Sequence, residues 1–168
     1  MNTDEVKPWK SAEAYWNGDF YLVETFSGYR LGRRDPTGAQ HTLPPNADAQ
    51  ELGTALLDAL AHSRFLSLEE ARVVGDYKKG QEEYVAWTEA LMARHDYKTK
   101  RALFENMARC GISLLVGDSQ MVIRPQHHDQ LEGWGRTKDD GIEDVIVPLE
   151  RSSEEVGKAL LLAFSRCT

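Results

Sequence analysis

Leu43 to Arg64 reads LPPNADAQELGTALLDALAHSR, and Val147 to Thr168 reads VPLERSSEEVGKALLLAFSRCT. At a constant offset of 104 residues Pro44 falls on Pro148, Glu51 on Glu155 and Gly53 on Gly157. Ala55, Leu56, Leu57 and Ala59 fall on Ala159, Leu160, Leu161 and Ala163 at the same offset. Each copy reads as a strand end, a turn and a helix. Asp48 with Glu51, and Ser152 with Glu155, form the capping-box pattern that satisfies free N–H groups in a first helical turn. Apolar residues then recur at Leu52, Ala55, Leu56, Ala59 and Leu60, and at Val156, Ala159, Leu160, Ala163 and Phe164. That spacing buries one helical face. A glycine in a first turn costs a helix about 0.8–1 kcal/mol relative to alanine. Its presence in both copies predicts that each helix starts close against another backbone, taken here to be the sheet.

Working outward, the chain reads as an α+β domain of two β-β-β-α halves, antiparallel within each half, with a central helical insert. The first half spans about 19–65, the insert about 66–110 and the second half about 111–168, all within one domain over 1–168. The segment FYLVETF, a Ser27-Gly28 turn and YRLGRR predict a hairpin. The Asp35-Pro36-Thr37-Gly38 turn and a short strand over 39–43 complete the first half. Residues 1–18, with Trp9, Tyr15 and Trp16, read as an amphipathic flap. In the insert, Glu82 to Arg94 and Thr99 to Arg109 favour helix, with Gly111 as the stop signal. The second half begins with ISLLV, a Gly117-Asp118 turn and QMVIR. Its hairpin turn lies 90 residues beyond the first and its helix 104, so 104 − 90 = 14 extra residues fall between them, in the loop Pro125 to Gly141.

A chain of 168 residues with 41% hydrophobic and 28% charged content is long enough for a core without staples. Its net charge of −7 argues against nucleic acid as a direct partner, since phosphate binding needs a basic surface. The same charge would suit a basic protein partner. Cys110 and Cys167 are its two cysteines, with no CxxC spacing, so neither a disulfide framework nor a zinc knuckle is expected. MNTDEVKPWK lacks an apolar signal core and no 18-residue apolar run follows, which predicts a cytoplasmic protein without membrane association.

The loop after Pro125 is the most informative asymmetry, because long loops in compact domains are often binding elements. From Gln126 to Asp144 it carries Asp129, Glu132, Asp139, Asp140, Glu143 and Asp144 against Arg136 and Lys138, a net charge of −4. Trp134 between two glycines is the kind of side chain that anchors an interface, although it could equally pin the loop to the core. These acids and Trp134 are the candidate binding residues. His127-His128-Asp129 lacks a further ligand at metal spacing, so no metal and no cofactor is expected. Cys110, read at a helix C-terminus where the dipole raises a thiol pKa, suits a buried structural role. No phosphate-binding loop, dinucleotide fingerprint or nucleophile elbow appears, so no catalytic residue is assigned.

Four strings go further: YWNGDFYLVETFSGYRLGRRD, LGTALLDALAHSR, DYKTKRALFENM and EEVGKALLLAFSRC. Together they resemble the CdiI immunity proteins of bacterial contact-dependent growth inhibition (CDI), over Tyr15 to Cys167. The resemblance implies a cytoplasmic antidote, not an enzyme, that binds the C-terminal toxin domain of a CdiA surface protein. It further implies that the toxin is a nuclease, commonly one that cuts tRNA. Two other classes stay open on the residues alone. One is a small cytosolic enzyme using Cys110 or the 127–129 cluster; the other is an acidic adaptor without a toxin.

Overall fold

The computed structural model describes residues 5–168. The chain runs β1 (Trp9–Trp16), β2 (Tyr21–Gly28), β3 (Gly32–Arg34), β4 (Gln40–Leu43) and α1 (Ala49–Ala61). Three helices follow, α2 (Leu68–Val74), α3 (Tyr77–Arg94) and α4 (Lys100–Phe104). Then come β5 (Ala108–Leu115), β6 (Gln120–Pro125), the small hairpin β7 (His127–Gln130) and β8 (Gly133–Gly135), β9 (Val145–Pro148) and α5 (Ser153–Arg166). Seven strands share one antiparallel sheet in the order β3-β2-β1-β5-β6-β9, with β4 also on β2. The fold is α+β; strands of both halves join in this one sheet, and β7 and β8 pair separately as a two-stranded sheet.

Trp9–Trp16, expected as a flap, is instead a central strand paired with β2 on one side and β5 on the other. Its alternation is hidden in the sequence because both faces are covered by different chemistry. Ala12 and Ala14 fill the α1/α5 side, while Tyr15 packs on the opposite side. A second correction follows from the same pairing. Helix α4 ends at Phe104, and Cys110 and Gly111 lie within β5, so Gly111 caps no helix. Once β1 is a strand, the counterpart of Gly117-Asp118 is the β1–β2 turn at Gly18-Asp19, not Ser27-Gly28. Gly18 and Gly117 both sit at φ 96, the left-handed region where a Cβ is disfavoured. The β2–β3 turn itself falls at Tyr29–Leu31, so the first half has an excursion of its own, ending in β3.

Helices α1 and α5 lie side by side on one face of the sheet. Leu52, Leu56, Ala59, Val156, Leu160 and Ala163 meet Ala12, Val23, Ile112, Met121 and Ile123 there. The close approach predicted for Gly53 and Gly157 is real, but its partner is not the sheet. A Cβ on Gly53 would stand 1.6 Å from the carbonyl oxygen of Ser153, and one on Gly157 would stand 1.7 Å from that of Ala49. Each helix therefore sets the carbonyl of its first residue against the glycine one turn into the other. Asp48 makes both arms of its capping box, while the Ser152 hydroxyl accepts from Glu155 N–H at 3.2 Å.

The opposite face is covered by α3, α4 and the β7–β8 hairpin through Tyr15, Phe20, Leu22, Leu91, Leu103, Phe104 and Met107. Strand β2 is consequently buried along its whole length.

Asp35 ties the β3–β4 turn to the end of α1. Its carboxylate accepts from Ser27 Oγ (2.7 Å), Thr37 Oγ1 (2.7 Å) and N–H (3.0 Å), and Arg64 Nε (2.9 Å). Burial pushes its pKa up, but the bonds from Arg64, Ser27 and Thr37 outweigh burial and hold it well below the usual carboxylate range. A depressed folded-state pKa stabilises fully above the unfolded value, about 4, and that contribution is lost as pH falls toward the folded value. Asp35→Asn should therefore cost about 2 kcal/mol at neutral pH, the order of one hydrogen bond to a charged group. It should also flatten the loss of stability below about pH 4, as read by urea melts across pH. An unchanged acid limb in the variant would assign that limb to other carboxylates.

Candidate partner-binding site

The candidate loop is more ordered than its length suggests. Strands β7 and β8 turn it back across the second face of the sheet. The rest folds around Arg136, whose guanidinium bonds Asp140 (2.9 Å), Asp144 (2.6 Å) and the carbonyls of Pro125 (3.3 Å) and Ile142. The Arg136 bond, then the N–H groups of Ile142 and Thr137, hold the Asp140 pKa down to about 2. Asp140 and Asp144 are thus spent largely on the loop itself. Glu132 accepts from Tyr84 Oη of α3 at 2.7 Å and lies 3.6 Å from Lys100 Nζ. Asp129, Asp139 and Glu143 are exposed and make no side-chain ion pair among the described residues.

Trp134 is turned inward. Its Nε1 donates to the Met107 carbonyl at 2.7 Å, and its ring meets Tyr15 and Phe104 edge-on. His128 stacks on it with centroids 4.7 Å apart, its Nε2 bonded to the Leu131 carbonyl. His127 points elsewhere, to Thr168 Oγ1 at 2.8 Å. Adjacent strand residues face opposite ways, which separates the two imidazoles. Trp134 therefore pins the hairpin to the core while one side of it lines an open cleft.

That cleft, of about 880 Å³, lies between the second sheet face, α3 and the hairpin. Its walls include Phe26, Arg34, Tyr84, Trp87, Arg109 and Trp134. Its floor depends on two acids placed directly opposite each other, Glu13 on β1 and Glu24 on β2. Like charges in that register repel. Here each has a cation: Glu13 Oε2 is 3.0 Å from Arg109 Nε, and Glu24 Oε2 is 2.5 Å from Arg34 Nε. The Arg34 guanidinium also lies 3.5 Å from the Trp87 ring centroid, and Trp87 Nε1 donates to Glu24 Oε1. Burial raises the Glu13 pKa against the pull of Arg109, and it pushes Tyr15 up to about 12.

Of this cleft only Trp134 and Glu132, at its hairpin edge, were candidates from the sequence. Arg33 and Arg34 fall within the YRLGRR segment read as a strand, and Trp87 within the helix-favouring run Glu82 to Arg94, with nothing in either to mark a site. A signal did exist, since a buried glutamate on an apolar strand demands a buried cation from elsewhere in the chain. The sequence does not say which of its 20 Lys and Arg residues supplies it.

Comparison with known proteins places the chain in context. The family model for CdiI, CDI immunity protein, matches residues 10–167. The immunity protein CdiI-YPIII of Yersinia pseudotuberculosis serotype O:3 is 37% identical over 180 residues, covering 99% of each chain. In solved structures, a chain of the CdiA-CT/CdiI toxin and immunity complex from Yersinia pseudotuberculosis superposes with a TM-score of 0.86 at 34% identity. That match covers 96% of this chain and 98% of the other. A protein of unknown function from Neisseria meningitidis gives a TM-score of 0.89 at 34% identity, with both chains covered completely.

Proposed function

This chain belongs to the CdiI family of CDI immunity proteins, and on that premise we propose that it binds and neutralises the C-terminal toxin domain of a cognate CdiA in the cytoplasm. The observation that carries the reading is its end-to-end similarity to a chain of a solved CdiA-CT/CdiI complex. The toxin is proposed to be a nuclease, with tRNA as the preferred substrate, and the immunity protein to act by binding without chemistry of its own. The acidic balance of −7 supports this, because a nuclease must present cations to phosphates and an inhibitor covering them gains from acids. No helix among the described residues is long and apolar enough to cross a membrane.

The test is reconstitution with the cognate toxin domain. Equimolar protein should abolish hydrolysis of tRNA, with duplex DNA as the parallel substrate, and co-expression should rescue growth. A stable complex whose toxin still cuts would overturn neutralisation. Cleavage of DNA alone would move the toxin to the deoxyribonuclease class.

The proposed toxin-facing residues remain Asp129, Glu132, Trp134, Asp139, Asp140, Glu143 and Asp144, and their environments separate their roles. Free surface acids steer association, whereas side chains tied into the loop preserve its shape. Asp129→Asn, Asp139→Asn and Glu143→Gln together should lower k_on by about tenfold at low ionic strength and flatten its salt dependence. Asp140→Asn should act chiefly through loop order, since it loosens Arg136. Stopped-flow association with the toxin at several salt concentrations separates the two. An unchanged k_on for the triple variant would place the interface elsewhere, with the cleft at Trp87 as the next site to mutate.

A further inference from the structure

Cys110 is the third residue of β5, fully buried and facing the α1/α5 layer. Cys167 is the residue after α5, half-exposed, with its backbone out of helical geometry at φ −63 and ψ 141. The two Sγ atoms are 3.6 Å apart, and both cysteines are free thiols. A disulfide needs about 2.05 Å between sulfurs, so one side must approach by roughly 1.5 Å. Cys110 is held in a sheet between β1 and β6. Cys167 lies just beyond the helix, outside its helical geometry and only half-buried, and is the side that can make that approach.

The surroundings also separate the reactivities. The hydrogen bond with Cys167, and then burial, hold the Cys110 thiol well above its ordinary range. The same bond, with Cys110 as donor, lowers the Cys167 pKa. Partial burial of Cys167 opposes that shift without reversing it. While protonated, Cys167 donates to the carbonyls of Arg109 (3.4 Å) and Ala163 (3.6 Å). The thiolate is the attacking form, so the accessible cysteine is also the more nucleophilic one.

We propose that Cys110 and Cys167 form a reversible intrachain disulfide, with Cys167 the attacking thiol and Cys110 the resolving one, the oxidant being a small disulfide of the glutathione type. The Cys167 thiolate attacks one sulfur of the oxidant, forming a mixed disulfide and expelling one thiolate. Cys110 then loses its proton and attacks Cys167 Sγ, expelling the second. The protein loses two protons and two electrons, and one oxidant disulfide becomes two thiols.

The consequence reaches the candidate loop. The carbonyl of Thr168 accepts from His128 N–H at 2.8 Å, and Thr168 N–H donates to the Gln126 carbonyl at 3.3 Å. Cys167 therefore lies between the central sheet and the tail that holds the base of the β7–β8 hairpin. Closing the bond would staple that tail to β5 and stiffen the hairpin entrance. It also closes a long loop, the cysteines being 57 positions apart, which restricts the unfolded chain.

The experiment uses the full chain equilibrated in reduced and oxidised glutathione, acid-quenched and read by intact mass. The wild type should lose two hydrogens without accumulating a glutathione adduct, melt at higher temperature, and revert with dithiothreitol. Amide exchange at His128 should slow in the oxidised form. Cys110→Ser should instead accumulate glutathione on Cys167, and Cys167→Ser should leave Cys110 unmodified in the folded protein. A wild type that accumulates the Cys167 adduct would overturn the resolving role of Cys110. Two free thiols persisting in excess oxidised glutathione would overturn the pair altogether. Both of these readings come from the wild-type protein, so they hold even if the Cys110 variant folds poorly.

Discussion

Gly53→Ala should lower the stability of this protein by about 3 kcal/mol, and Gly157→Ala should do the same. At an exposed helix position the same change would be stabilising, by about 0.8–1 kcal/mol, because alanine is the better helix former. The sign is therefore diagnostic. The added methyl carbon at 53 would lie 1.6 Å from the Ser153 oxygen, and at 157 it would lie 1.7 Å from the Ala49 oxygen. Both obstacles are backbone carbonyls, which cannot rotate away as a side-chain end could. The helices would have to separate, loosening the packing of Leu52 and Leu56 against Val156 and Leu160. For a domain of this size such a loss corresponds to a drop in Tm of roughly 6–12 °C. One separation relieves both clashes, so the double variant should cost less than the sum of the singles. Thermal and urea melts of the three variants measure this, and a Gly53→Ala protein melting at or above wild type would refute the close contact.

Removing Glu24 should be comparably damaging. Glu24 is 1% exposed, and its two oxygens serve Arg34 and the Trp87 indole at 2.5 Å each. Glu24→Ala would leave a half-buried guanidinium without its counter-charge and the half-buried Trp87 N–H without its acceptor. Breaking one side of a buried pair costs about 3–5 kcal/mol, because the remaining charge keeps its desolvation penalty. Glu24→Gln keeps an acceptor but loses the charge, and should fall between the two proteins. Replacing both partners, Glu24→Leu with Arg34→Met, should recover most of the loss, since no orphan charge remains. Trp87 packs on the Arg34 guanidinium, so its fluorescence should report loosening of the cleft wall in the single variant and not in the double. Equal destabilisation of the single and double variants would show that shape, not charge, holds this wall.

Legibility in the sequence followed the locality of the signal. The helices α1 and α5 could be read because capping and apolar period lie within a dozen consecutive residues. Pro44, Gly53 and their partners at offset 104 marked the two helices as equivalent elements. The strand β1 escaped because Ala12, Ala14 and Glu13 show no apolar alternation until both covering layers are known. Misplacing it shifted the match for Gly117-Asp118 from Gly18-Asp19 to Ser27-Gly28 and assigned all of the asymmetry to one loop. The acidic loop was visible as composition, but charge count does not separate Asp139, which is exposed, from Asp140, which Arg136 holds.

The sequence by itself determined the fold class, the two capped helices, the acidic surface and, through the four strings from Tyr15 to Cys167, the family. Each is carried by residues adjacent in the chain or by a pattern that can be compared directly. The tertiary structure alone decided that Gly53 and Gly157 face each other, that Trp134 turns inward, and that Arg34 and Arg109 neutralise Glu24 and Glu13. It also brought Cys110 to within 3.6 Å of Cys167. Those pairings join residues 10 to 104 positions apart, from Arg34 with Glu24 to Gly53 with Gly157. Their partners are chosen by the sheet order β2-β1-β5-β6 and by which face each side chain takes, which no local pattern encodes.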